Sequence, residues 1–125
     1  MNRIKCLLLA GLFVLLPADA WAWGPAAHLD FGLHLLRDLT LVAPAVAGLL
    51  RRFADDFLYG NLAADITIGK NFSPYYLHCH NWQVGLSVLD LAEDDATRSF
   101  AWGYLAHLAA DIVLHVVAPL LFGAA

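Results

Sequence analysis

Three polar side chains interrupt the apolar stretch near the end of the chain, in His107-Leu-Ala-Ala-Asp111-Ile-Val-Leu-His115. Steps of four put them on successive turns of one helical face. Imidazole and carboxylate at that spacing are metal-ligand types on a rigid support. A charged Asp111 among apolar neighbours is costly unless it is paired or metal-bound. For one His-x-x-x-Asp pair alone, a buried hydrogen bond that fixes helix packing is the competing reading. Other residues shift the balance: His28, Asp65 in Leu62-Ala63-Ala64-Asp65-Ile66, and His78 and His80 on either side of Cys79. Most ionisable groups in apolar surroundings are thus metal-ligand types. Nitrogen and oxygen donors of this kind suit zinc ahead of manganese or iron.

The elements that must position these residues read as helices. Helical spacing predicts one helix over 29–39 after a Gly24-Pro25 start, a second from Pro44 to Tyr59 that Gly60 breaks, and a short turn or helical piece over 61–68. Ser73-Pro74 marks a loop, the helical period resumes over 80–92, and Glu93-Asp94-Asp95 makes an acidic turn and helix start. The longest helix covers 97–117 and closes at Pro119. Alternating β-branched runs are missing, so the expected class is all-α. His34, six residues after His28, reads as a surface or packing residue. Asp30, Asp38, Asp90 and Asp55-Asp56 read as solvated helix charges, with Asp55 a minor candidate for a supporting base. Phe72, Tyr75, Tyr76 and Trp82 suit either a lipid-facing rim or the core.

Composition bounds the rest. The chain has 125 residues, 61% hydrophobic and 14% charged, which excludes an intrinsically disordered chain and fits one domain. Seven basic against eleven acidic residues give a net charge of −4, so no basic surface tracks a nucleic-acid backbone. Residues 1–22 carry the three parts of a secretory signal peptide: Arg3 and Lys5, an apolar run over 6–16, and small residues after Pro17. Two cleavage frames fit, Ala18-Asp19-Ala20 releasing Trp21 and Ala20-Trp21-Ala22 releasing Trp23. An uncleaved anchor helix is the alternative. Cleavage after Ala22 leaves residues 23–125 with Cys79 as the sole thiol, so no intrachain disulfide forms. The last fourteen residues carry no formal charge; this reads as a buried helix end or a domain cut short, not a membrane span.

The sequence resembles the zinc-dependent phospholipase C superfamily, particularly the phospholipase C/D domain of glycosylphosphatidylinositol-specific phospholipase D. The matching pieces, in the family's order, are Trp23-Gly-Pro-Ala-Ala-His28, Gly60-Asn-Leu-Ala-Ala-Asp65-Ile, His78-Cys-His80-Asn-Trp82 and Gly103-Tyr-Leu-Ala-His107-Leu-Ala-Ala-Asp111-Ile-Val-Leu-His115. The opening is also similar to that of the zinc-dependent single-strand nucleases. The resemblance implies a compact multi-helix domain and two zinc ions, with a third site in doubt because no His, Asp or Glu follows His115.

In that superfamily the mature N-terminal residue binds zinc through its amine and carbonyl, which favours the frame that frees Trp23. One metal would then take Trp23, His28 and Asp111. The other would take Asp65, one of His78 and His80, His107 and a bridging Asp111. His80 is preferred because its distance from Asp65 better resembles the nuclease relatives. His115 would serve a further metal, and Asp65 would orient the attacking water. The implied protein is a secreted or periplasmic phosphodiesterase that acts on phospholipid or a related phosphate ester, with peripheral membrane contact. A single-strand nuclease and a non-catalytic metal-binding or membrane-associated remnant are the competing readings. N-terminal sequencing of the exported protein is expected to begin at Trp23; a start at Trp21 or Met1 would remove the amine from the ligand set.

Overall fold

The computed structural model of the chain describes residues 25–65, 74, 79–117 and 120. Five α-helices follow one another: α1 (Pro25–Arg37), α2 (Pro44–Arg52), α3 (Ala54–Ala63), α4 (Trp82–Asp90) and α5 (Asp95–Ile112). A π-helical turn, Val113–Val117, continues α5. No strand occurs among the described residues, so the all-α expectation holds.

Local chemistry explains where the helices start. Pro25 and Pro44 occupy first-turn positions, where a missing N–H costs nothing. The Asn81 side chain accepts from the Gln83 amide at the head of α4. Asp94 and Thr97 form a reciprocal capping box at the head of α5. The Thr97 amide and hydroxyl hold the Asp94 carboxyl below the usual carboxylate range.

Two boundaries differ from the sequence expectation. The helix after Pro44 breaks at Phe53, where φ is −123° and ψ is 50°, and not at Gly60. The Phe53 carbonyl accepts from the Ser99 hydroxyl of α5 at 2.8 Å, so a tertiary bond supports the break. Gly60 lies inside α3 because its missing side chain is needed for packing. A Cβ there would overlap the Phe100 carbonyl, and a Cβ on Gly103 would overlap the Phe57 carbonyl. The α3 and α5 backbones therefore touch through two reciprocal glycine contacts, and this is the most extensive helix pairing in the fold. The second difference is at the end of the long helix, which widens from α to π geometry at Val113.

Helix α5 is central. Ala64, Cys79, Tyr104, Leu105 and Leu108 form one buried cluster, and Leu39, Ala47, Leu50 and Phe57 form another. Trp102 packs against both. The stretch Asp95–Val117 is long and apolar enough to cross a membrane by length and composition, with a mean hydropathy of 1.4. A helix that is apolar on most sides is also what the middle of a small helical domain requires, and α5 packs against α1, α2, α3 and α4. Gly103→Ala is expected to destabilise the fold by roughly 2 kcal/mol, because the overlap with backbone outweighs the gain in helix propensity. Denaturant unfolding measures this directly, and an unchanged or higher midpoint would refute the close-contact account.

Candidate metal centre

Four chain segments deliver one or two donors each to a single point. His28 projects from α1 and is 2% exposed. Asp65 follows the end of α3, His80 precedes α4, and α5 supplies the fully buried His107 and, one turn later, Asp111. Donor atoms of His28, His107 and Asp111 all lie within 4.8 Å of one another, as do those of Asp65, His80 and His107. His107 is common to both groups.

The two Asp111 oxygens face different partners. Oδ1 is 3.3 Å from His28 Nε2 and 3.8 Å from His115 Nε2. Oδ2 is 3.4 Å from His80 Nε2 and 3.5 Å from His107 Nε2. Asp65 Oδ1 lies 3.4 Å from His80 Nε2, and its Oδ2 lies 3.9 Å from His28 Nε2. Among the described residues, every ion-pair partner of Asp111 is a histidine.

Hydrogen bonding at the back of the rings sets which nitrogen faces the centre. His107 Nδ1 donates to the Asn61 carbonyl at 2.8 Å. A carbonyl only accepts, so the proton sits on Nδ1 and the Nε2 lone pair points inward. This is the arrangement in which an imidazole binds a metal. His107 Nε2 approaches His80 Nε2 at 3.1 Å. His80 Nδ1 meets the Cys79 sulfur at 3.4 Å. The Tyr104 hydroxyl donates to the Cys79 carbonyl and so ties the turn that carries His80 to α5. Burial and the neighbouring Cys79 push the Tyr104 hydroxyl pKa up to about 12, so it stays a donor at neutral pH.

The His28 and His107 rings stack with centroids 3.7 Å apart. Two imidazolium rings at that distance repel, and burial followed by the charge of His107 holds the His28 pKa below its ordinary value. His28 Nδ1 is buried with no hydrogen-bond partner. Three imidazoles and two carboxylates that meet at one point are a donor set that fits a divalent cation, zinc in particular.

The structure therefore brings together His28, Asp65, His80, His107 and Asp111. His115 lies at the edge, with a side chain 41% exposed. Trp23 and His78 fall outside the described residues, as do Phe72, Tyr75 and Tyr76. His34 is exposed and bonded within its own helix to the Asp30 carbonyl, and Asp55 is exposed on the first turn of α3. Sequence reasoning gave Asn61 and Tyr104 no role and noted Cys79 only as the sole thiol. All three lie within the segments that carry the family resemblance, but they act through backbone carbonyls and tertiary contacts that spacing does not reveal.

A family model described as zinc dependent phospholipase C matches residues 27–122. The chain belongs to this family. No curated protein and no solved structure matches it. The matched segment contains the five converging residues, so membership and geometry concern the same part of the chain.

The low proton affinity of His28 has a measurable consequence. Below pH 6.5, the ordinary value for histidine, the unfolded chain takes up a proton that folded His28 resists. Stability of the metal-free protein should therefore fall as pH drops through 6.5. His28→Asn should flatten that slope in urea unfolding measured from pH 7.5 to 5.5.

Proposed function

We propose that the chain is an exported zinc-dependent phosphodiesterase that hydrolyses phospholipid or a related phosphate ester at a two-metal centre. In this reading residues 1–22 are the export leader and residues 23–125 the phospholipase C/D-like domain, working in the periplasm or outside the cell. The observation that carries it is the disposition of Asp111, with one oxygen toward His28 and the other toward His80 and His107. A carboxylate so placed is suited to bridge two cations.

His28, Asp111 and the freed Trp23 amine and carbonyl would hold one zinc; Asp65, His80, His107 and Asp111 would hold its neighbour. His80 is preferred to His78 because its Nε2 already meets both Asp65 and His107. His115 stands ready as an outer ligand on the solvent side of Asp111. Zinc bound there supplies positive charge for phosphate oxygens and brings the pKa of a coordinated water toward about 7. Asp65, with a side chain only 8% exposed, would orient that water. Asn61 keeps the His107 ring in one tautomer, and Tyr104 keeps His80 in reach. The acidic net charge of the chain disfavours nucleic acid and leaves the metals as the phosphate-attracting element.

The expected zinc content is two equivalents per chain, with a loss of at least one on His107→Ala. Asp65→Asn should lower hydrolysis about 100-fold or more, as removal of a side chain positioned on the attacking water does. Release of phosphorylated headgroup or diacylglycerol from a phospholipid panel is the assay. No release by the zinc-loaded mature protein would sink the proposal, and zinc-dependent digestion of single-stranded DNA would replace it with nuclease chemistry.

A further inference from the structure

On the side of α5 away from the metal donors, a trough runs along the helix. Its middle is a cavity of about 560 Å³ to which all five helices contribute, and every described residue lining it is apolar. Trp82 and Leu86 stand at its edge, 41% and 46% exposed. Toward the C-terminal end of α5 a second apolar hollow of about 140 Å³ opens between Phe31, Val113 and Leu114, and Ala109 lines both. Toward the N-terminal end lies a third hollow of about 430 Å³, which shares Val46, Leu89 and Trp102 with the middle one. This third hollow is different in kind, because Arg52, Arg98 and Asp95 line it.

We propose that this trough is a second binding site, separate from the metal centre, for an aliphatic chain that ends in one anionic head. Protein interiors pack as densely as organic crystals, so an apolar hollow of this size calls for an occupant. The described lining of the middle and C-terminal portions is apolar apart from the indole N–H groups of Trp82 and Trp102, so hydrocarbon suits them. From Arg98 to Val113 the helix rises about 22 Å at 1.5 Å per residue, a length that suits an extended long-chain acyl or alkyl group better than a compact ring. The charged groups facing the other end are two arginines and one carboxylate. Asp95 pairs with Arg52, and Arg98 donates a long bond, 3.4 Å, to the Ala92 carbonyl and interacts with the nearby Asp94 carboxylate without forming a close ion pair. The described lining of the mouth therefore carries one more cation than anion. A carboxylate and a phosphate monoester satisfy the same chemistry. The inference does not depend on the hydrolase reading, since none of His28, Asp65, His80, His107 and Asp111 lines the trough.

The trough tryptophans provide the readout. A brominated long-chain fatty acid, titrated into the full chain below its micelle concentration, is expected to quench tryptophan fluorescence saturably with one equivalent bound. Arg98→Ala should weaken the acid about tenfold, the scale of one charge-assisted hydrogen bond, and leave the brominated alcohol of equal length unchanged. Asp95→Asn should tighten the acid several-fold by freeing Arg52. Both substitutions are on the surface and spare the core. Competition by an alkyl phosphate against competition by a plain fatty acid tells which head is preferred. Chelation of zinc should change none of these affinities. The proposal is overturned if neither acid nor alcohol quenches saturably, as when a second copy of the chain covers the trough, if both bind alike and ignore Arg98→Ala, or if chelation abolishes binding.

Discussion

Everything in this fold depends on how closely α3 and α5 approach each other. At Gly60 and Gly103 each helix presents a bare backbone to a carbonyl of the other, so the axes come nearer than any larger side chain permits. Two bonds lock the alignment, Ser99 to the Phe53 carbonyl at one end and His107 to the Asn61 carbonyl at the other. The second of these is also the bond that aims His107. A single packing constraint therefore sets the helix pair and the protonation geometry of the central imidazole.

The donors reach the centre from four chain segments, and the cost of bringing them together is electrostatic. Two carboxylates gathered in a largely buried place repel, and burial holds the His28 pKa below its ordinary value. Without a cation the arrangement is held by second contacts: Asn61 behind His107, Tyr104 and Cys79 behind His80. With a cation the same positions become mutually favourable. That asymmetry fits membership in the zinc dependent phospholipase C family. The opposite side of α5 is governed by apolar contact and by voids, so one helix separates two kinds of chemistry.

How much of this was legible beforehand follows from how far each signal reaches. His107 and Asp111 share a helix, and four-residue spacing alone puts them on one face. The helix starts were equally plain, because Pro44 and Asp94-Thr97 act on their immediate neighbours. The all-α class followed from periodicity over the whole chain. Gly60 misled, because a glycine that ends a helix and a glycine that admits a neighbouring backbone look the same in one dimension. Phe53, where the chain does break, carries no breaker signal; its geometry is supported by Ser99, forty-six positions later.

The sequence by itself determined the kinds of donor, their order and the helices that carry them, since residue type, capping and periodicity are local properties of the chain. Only the tertiary structure decided which donors meet, that Asp111 turns its two oxygens to different histidines, and that Asn61 and Tyr104 stand behind the rings. Those facts arise from contacts between segments dozens of residues apart, where distance is set by how closely two backbones can pack and not by their spacing along the chain.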